Sequence, residues 1–315
     1  MITLDERQTN EALPFDRLIE TLREMFAAGC SVPQRHSHVV NTAEGSGTVL
    51  IMPAWNEKYL GIKTVNIYPQ NSQRGLPGLF SVFTLFDSST GLPLAQLDGN
   101  VITSRRTAAA SALAASYLAK KNSRRLLVVG AGRVGRLLPD AYRAVFPLEQ
   151  IDVWNRDPAA ADLLAATLRE SDMASMSVGR WSLEAAARRA DIVSTATLSC
   201  EPIVKGEWLA PGAHLDLIGS FTPEMRETDD TAFRDAKLFV DTEEALQKSG
   251  ELLGPMSRGV FCANDVVATL AGLCAGAHLG RASHGERTVF KSVGSALEDL
   301  AAAIQAYEHW REMTT

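Results

Sequence analysis

Cysteine is scarce in this chain: four residues among 315, Cys30, Cys200, Cys262 and Cys274. None forms a C-x-x-C pair and their spacing matches no zinc pattern, so neither a disulfide framework nor a structural zinc organises the fold. They read as buried, reduced thiols. A basic run is also missing. With a formal net charge of −6 at pH 7, the chain has no electrostatic footprint for nucleic acid. The longest weakly polar stretch, "TAAASALAASYLA", is too short and too rich in alanine to span a bilayer. "MITLDERQTNEALPFD" is acidic and polar, unlike a signal peptide, and the expected compartment is the cytoplasm. There is no internal repeat, linker or low-complexity segment. What remains is an ordinary globular composition, 46% hydrophobic and 22% charged, long enough for about two domains.

The pattern changes character once along the chain. "PFDRLIETLREMFAAG" (14–29) spaces Leu18, Ile19, Leu22, Met25 and Phe26 as a helix does and ends at Gly29. "GTVLIMPAW" and "YLGIKTVNIYP" read as strands, and "LFSVFTLFD", "SSTG" and "LPLAQLDG" as a hairpin with its turn. From Thr107 the small-residue run "TAAASALAASYLAKK" predicts a helix suited to close packing. After it, "RLLVVG", "QIDVWN", "DIVSTAT", "AHLDLIGS" and "AKLFVD" alternate with helical runs such as "DPAAADLLAATLRE" and "SLEAAARRA". That alternation predicts a doubly wound parallel α/β sheet of Rossmann type. "SALEDLAAAIQAYEHWREM" reads as a long amphipathic helix closing the chain. The expected organisation is an N-terminal α+β substrate and dimerisation domain, residues 1–117, rejoined by residues 289–315. The nucleotide domain, residues 118–288, is inserted between them.

"LLVVGAGRVGRLL" (126–138) carries the sharpest local signal. Gly130, Gly132 and Gly135 form G-x-G-x-x-G after a predicted strand and before a predicted helix, the context that pattern requires. The turn Gly130, Ala131, Gly132, Arg133, Val134, Gly135 is therefore the expected cradle for a dinucleotide pyrophosphate at a helix N-terminus. An NAD site usually carries an acid roughly 20 residues further on, at the end of the second strand. Here that place is Asn155, followed by Arg156. A neutral side chain does not repel a 2′-phosphate and an arginine can grip one with two bonds, so the expected cofactor is NADP(H). Asp157 could still reach a ribose, which keeps NAD(H) open. Thr197 and Leu198, after the fourth strand, are placed where that loop lines the cofactor crevice, and Thr107 is grouped with them.

Three cations precede the nucleotide motif in suggestive contexts: Arg35 in "VPQRHSH", Lys63 in "LGIKTVN" and Arg106 in "ITSRRTAAASALAA". Arg106 is expected just before the Ala-rich helix, at its positive end. Two guanidiniums and an ammonium suit a carboxylate, and the lysine can also donate a proton. Each can equally be a solvated surface charge, and the sequence does not itself bring them together. His36 and His38 could relay protons or be solvated loop residues.

Together, "VPQR", "MPAW…LGIKTVNIYPQNSQRGLPG", "DSSTGLPLAQLDG", "RTAAASALAASYLA", "GAGRVG", "VWNR" and "TVFKSVGSALEDLAAA" resemble the ornithine cyclodeaminase/mu-crystallin family, from about residue 31 to the C-terminus. The resemblance implies that Arg35, Lys63 and Arg106 hold a substrate carboxylate. It implies a homodimer formed through the N-terminal domain and an inserted nucleotide domain. It also places "TVFKSVG", with Lys291 and Ser292 opening the last helix, near the nicotinamide, with Ser292 a cofactor contact.

The sequence departs from its deaminating relatives at one position. Ornithine cyclodeaminases and the related alanine dehydrogenases carry an aspartate in Gly-x-Asp-x-Pro; here the stretch is "GSFTP" and the position is Phe221. A benzyl group cannot take a proton from an amine or activate water. Asp216 is a displaced acid in one reading and a structural strand residue in the other. "VWNR" and the missing aspartate resemble the mu-crystallin-like ketimine reductase branch of the family, and that resemblance implies an NADPH-dependent reductase of cyclic imino acids such as Δ1-pyrroline-2-carboxylate or Δ1-piperideine-2-carboxylate, with Lys63 as the candidate donor. Ornithine cyclodeamination (or a related amino-acid dehydrogenation) and non-catalytic NADPH or small-ligand binding are the alternatives. The expected partner is a small carboxylate-bearing substrate, with no nucleic acid, membrane or metal.

Overall fold

The computed structural model describes residues 1–43, 45–170, 177–179 and 181–314. The chain forms two compact units, Met1–Arg106 with Ser295–Thr315, and Thr107–Gly294.

The first unit is α+β. It opens with β1 (Ile2–Leu4), α1 (Glu6–Glu11) and α2 (Phe15–Ala28). α2 follows Pro14, buries Phe15, Leu18, Ile19, Leu22 and Phe26 on one stripe, and stops at Gly29, as the 3.6-residue period requires. Five strands follow: β2 (His36–Thr42), β3 (Gly45–Trp55), β4 (Tyr59–Ile67), β5 (Leu79–Asp87) and β6 (Pro93–Asp98). They make a six-stranded sheet ordered β1-β6-β5-β4-β3-β2, antiparallel except for β1 on β6. The final helix α10 (Ala296–Thr314) packs against α2 and against β3, β4 and β5. β2 falls where His36 and His38 were expected in a loop. "HSHVVNT" is mostly exposed along its length, so as an edge strand it carries no apolar alternation to announce it.

α3 (Gly99–Leu118) is one continuous helix that begins in the first unit and ends in the second. It starts eight residues before the Ala-rich run, so Arg106 lies inside the helix and not at its positive end. Asp98 makes the start: its carboxylate accepts the N–H groups of Asn100 and Val101. The expected boundaries near 117 and 289 both fall inside the second unit. Ser111 on α3 bonds to Asp216 there, and residues 287–291 form one of its strands.

The second unit is an eight-stranded, wholly parallel sheet: β7 (Arg125–Val129), β8 (Gln150–Trp154), β9 (Ser177–Gly179), β10 (Ile192–Thr195), β11 (His214–Leu217), β12 (Ala236–Val240), β13 (Val266–Thr269) and β14 (Arg287–Lys291). Helices α4 (Leu138–Arg143), α5 (Pro158–Glu170), α6 (Leu183–Arg189), α7 (Ala245–Lys248), α8 (Gly250–Ser257) and α9 (Leu270–Cys274) connect them. The order is β13-β12-β14-β11-β10-β7-β8-β9. Counted from β7, that is the dinucleotide-fold sequence 3-2-1-4-5, with the last strand taking the sixth place. β7 is a near-continuous apolar run, as a strand buried on both faces tends to be; β10 and β11 are just as buried but carry Ser194, Thr195, His214 and Asp216. The "TVFK" run expected to open the last helix is thus a central strand. Its β-branched and aromatic residues fit a strand buried on both faces, and the helix begins only at Ala296.

All four cysteines are free, but none is buried: Cys200 and Cys262 are exposed and Cys30 and Cys274 half-buried. They lie at helix ends and in loops, outside the apolar strands and helix faces that fill the core.

Candidate functional site

In the first unit the sheet's alternation sets a cation where an apolar residue would be expected. On β4 the buried positions are Tyr59, Gly61, Lys63 and Val65, so Lys63 points to the packed face and is 2% exposed. Its Nζ lies 3.2 Å from Thr103 Oγ1 and 2.5 Å from Asp299 Oδ2. Arg106, 6% exposed, donates through Nε to Asp299 Oδ1 at 2.9 Å and through Nη1 to Glu298 Oε2 at 2.6 Å. Two cations and two carboxylates from three elements therefore form one buried cluster whose formal charges cancel. Burial lowers the Lys63 pKa and Arg106 lowers it further, while Asp299 and Glu298 work against the fall. For Arg106 burial pulls the same way, but the two carboxylates outweigh it and hold the guanidinium protonated. Asp299 is held below the usual carboxylate range: burial would raise it, and the two cations prevail.

Arg35 lies one residue before β2, half-buried. The first β2 pair is His36 with Ile51, and Met52 pairs with Lys63. The structure thus brings Lys63 and Arg106 together through Asp299, while Arg35 lies just before β2, outside the paired residues of the sheet. Glu298, Asp299 and Thr103 were not anticipated. Their signal was an adjacent acid pair inside "SALEDLAAA", where Leu297, Leu300, Ala301 and Ala302 are all buried. Acids in such a stripe need partners.

In the second unit the glycine turn is fixed by close approach. Gly130 has φ +108, and a Cβ there would come 2.6 Å from the Ala196 carbonyl oxygen; one on Gly135 would come 1.9 Å from that of Gly130. At Gly132 a Cβ would meet nothing within 4 Å: that face of the turn is open, as a backbone awaiting a phosphate should be. The turn leads into further turns, and regular helix starts only at Leu138 and lasts six residues. The cradle is therefore mainly the turn's own backbone, with less helix dipole than the motif predicts. Ala131 is buried, Arg133 exposed and Val134 half-buried. Asn155 accepts the Ala131 N–H at 3.1 Å and donates to the Asp157 carbonyl at 3.0 Å, so the amide ties the end of β8 to the turn. Arg136, not anticipated, donates to the Ala131 carbonyl. Arg156 is exposed beside them. An open glycine face, a turn closed by Asn155 and an exposed guanidinium together fit a dinucleotide.

The remaining expected contacts fall at strand ends. Thr197 and Leu198 follow β10, with Leu198 72% exposed; Phe221 follows β11 and is 48% exposed. Ser292 directly follows β14 and donates its N–H to the Leu217 carbonyl. Thr107 is half-buried in α3. Asp216, in contrast, is wholly buried in β11. It accepts hydroxyls from Ser111 at 3.1 Å, Tyr142 at 2.9 Å and Ser194 at 2.5 Å. Its oxygens accept from three other elements, which fits the reading of Asp216 as a structural strand residue.

Comparison with known proteins agrees with this architecture. The model of the ornithine cyclodeaminase/mu-crystallin family matches residues 3–314. The ketimine reductase mu-crystallin of Mus musculus is 37% identical over 86% of this chain and 83% of its own length. The structure of Thermococcus litoralis Delta(1)-pyrroline-2-carboxylate reductase in complex with NADH and L-proline is 33% identical; it superposes with a TM-score of 0.91 over 100% of this chain and 99% of that one. An archaeal alanine dehydrogenase dimer with bound NAD is 31% identical, with a TM-score of 0.90 over 99% and 97%.

Proposed function

We propose that this chain, which belongs to the ornithine cyclodeaminase/mu-crystallin family, reduces cyclic imino acids of the Δ1-pyrroline-2-carboxylate or Δ1-piperideine-2-carboxylate type to proline or pipecolate. That it is a nicotinamide-dependent oxidoreductase of that family rests on the whole-chain match and on relatives that are reductases. The observation that carries the choice of substrate is the Lys63–Asp299–Arg106 cluster. It sets a guanidinium, locked in orientation, beside a lysine whose burial lowers its pKa.

Each residue then has a chemical task. Arg106, together with Arg35, grips the substrate carboxylate and fixes the ring. Lys63 keeps the ring nitrogen protonated; a lysine with a lowered pKa releases its proton closer to neutral pH, which makes it the better donor. Asp299 holds both cations in place. When bound, a reduced nicotinamide supplies the hydride. Gly130 to Gly135 cradle its pyrophosphate, Asn155 and Arg156 receive a 2′-phosphate, and Thr107, Thr197, Leu198 and Ser292 line the rest. That assignment makes NADP(H) the preferred cofactor. Phe221 decides against deamination, because no carboxylate stands there to accept an amine proton.

The active form is a homodimer in this reading. Phe80 and Val82 alternate away from the packed sheet face and remain 44% and 41% exposed, an apolar surface that a second copy would cover. Purified protein mixed with NADPH or NADH and a panel of cyclic imino acids, with ornithine alongside, tests the activity. Loss of reduced-nicotinamide absorbance with an imino acid supports it; none with any imino acid rejects it.

A further inference from the structure

The ends of four neighbouring strands in the second unit are tied together by buried charged side chains. Asp241, directly after β12, accepts the N–H groups of Val293 and Gly294, both at 2.7 Å, in the loop after β14. Lys291, the last residue of β14, donates to the carbonyl of Leu217, the last residue of β11, at 2.9 Å. Glu227 joins β11 to β10. It accepts the N–H of Gly219, the N–H of Thr197 and the hydroxyl of Thr195, all at 2.7 Å. Glu251 in turn accepts the backbone N–H groups of Glu227 and Thr228 at 2.6 and 3.0 Å. Asp241 is 1% exposed and Lys291, Glu227 and Glu251 are 0% exposed.

Ordinary fold stability does not call for this arrangement. Parallel strands satisfy one another along their length, and the loops past their ends are normally hydrated. Here Thr197, Gly219, Val293 and Gly294 each present an N–H just beyond a strand end, and a buried carboxylate receives it in place of water. The loops so held carry Leu198, Phe221 and Ser292 at the carboxyl edge of the sheet, where open α/β folds bind their ligands. The glycine turn and Arg156 lie on the β7–β8 side and serve the adenosine half of a dinucleotide. β10, β11 and β14 lie on the other side of β7.

We propose that Asp241, Lys291 and Glu227 form a latch that presets the loops after β10, β11 and β14 for the nicotinamide half of the cofactor, with Glu227 as a positioning residue for the reaction. The proposal rests on the cofactor reading above and names what holds the reactive end of that cofactor still.

The test separates the two halves of the ligand. The wild-type enzyme, Glu227→Gln and Asp241→Asn are each titrated by calorimetry with 2′-phospho-ADP-ribose and ADP-ribose, which lack the nicotinamide, and with NADPH and NADH. Thermal melting is recorded for each variant. In both variants an amide N–H group replaces an acceptor facing backbone donors. Affinity for the whole dinucleotide is expected to fall about tenfold or more, with the fragment bound as by wild type. The kcat is expected to fall with it. Equal losses for fragment and dinucleotide, or no loss for either, in whichever variant folds, overturn the latch. Wild-type protein that binds neither fragment nor dinucleotide overturns the cofactor reading itself, and the latch with it.

Discussion

Arg106 and Asp299 face each other across a buried bond of 2.9 Å from Nε to Oδ1, and the second oxygen of the same carboxylate lies against Lys63. One side chain on α10 thus holds two buried cations, one from a strand and one from a helix. Charges removed from water are tolerated when each has a partner. Glu298 and Asp299 together neutralise the cluster, and Asp299, paired with both cations, sets its geometry.

Arg106 can be tested without emptying the cluster. Truncation to alanine leaves Glu298 and Asp299 buried with a lost partner, a change that typically costs about 3–5 kcal/mol of stability, so lowered melting is expected from Arg106→Ala. Arg106→Lys keeps the charge and loses the planar fork. It is expected to retain most of the melting temperature and the affinity for cofactor, while kcat/KM for the imino acid falls about tenfold or more, as for a lost oriented contact to a desolvated carboxylate. Unchanged kcat/KM in a folded Arg106→Lys protein would remove Arg106 from substrate binding.

The parallel sheet was readable because short strand-like runs, β7, β8, β10, β11 and β12 among them, alternate with helical ones. β2 was not, since an exposed edge strand needs no apolar face. β14 was read as helix because "TVFKSVG" runs into "SALEDLAAA" without a strong break, and only pairing with β11 and β12 shows it as a strand. The glycine turn was legible from local sterics alone. The partners of Lys63 and Arg106 were not: Asp299 lies 236 residues from Lys63 in the chain, counting 63 to 299, and no local pattern encodes that meeting. Asp216 shows the same limit, since its three hydroxyl partners come from α3, α4 and β10.

Arg156 is expected to decide between the two nicotinamide cofactors. It is exposed at the end of β8, next to an Asn155 that is committed to the turn. Arg156→Ala should weaken NADPH by about tenfold or more, the scale of a lost charge-assisted pair, and leave NADH nearly unchanged. Equilibrium titration of both reduced cofactors decides it. Tighter NADH binding by the wild-type protein, or equal effects on both, would refute the preference.

Asp216 predicts a pH dependence of stability. Burial raises its pKa from 3.8 to about 6 against the pull of the Ser194, Tyr142 and Ser111 hydroxyls. The folded state therefore holds this proton more tightly than the unfolded state. Its contribution is fullest below the unfolded value and is lost as pH rises through the folded one. A shift of about 2 units corresponds to roughly 3 kcal/mol. Asp216→Asn cannot titrate, and its amide can still bond the three hydroxyls after they rotate. Denaturant unfolding from about pH 4 to about pH 6.5 should show the wild type losing stability relative to Asp216→Asn by up to that amount. Reductase activity should survive in the variant; a folded Asp216→Asn protein without activity would restore Asp216 as a catalytic acid.

Phe221 makes the sharpest statement about chemistry. It follows β11 and is 48% exposed, at the position where the deaminating relatives implied by the motif carry an aspartate. Deamination must take a proton from an α-amine, expel ammonia and activate or exclude water, and it needs a positioned base for each proton. Reduction of a preformed imine needs orientation, one proton and a hydride, and in the proposed reading Arg106 and Lys63 supply the first two. The protein is therefore expected to consume reduced nicotinamide with a cyclic imino acid and to release no ammonia from ornithine. Phe221→Asp is not expected to create the deaminase, since one added carboxylate does not by itself supply a positioned base for each proton. The decisive measurement is on the natural protein with the oxidised cofactor present. Ammonia released from ornithine at about 1 per second or faster, an ordinary enzymatic rate, would show that some other residue supplies the base and that the aromatic ring at 221 does not exclude deamination.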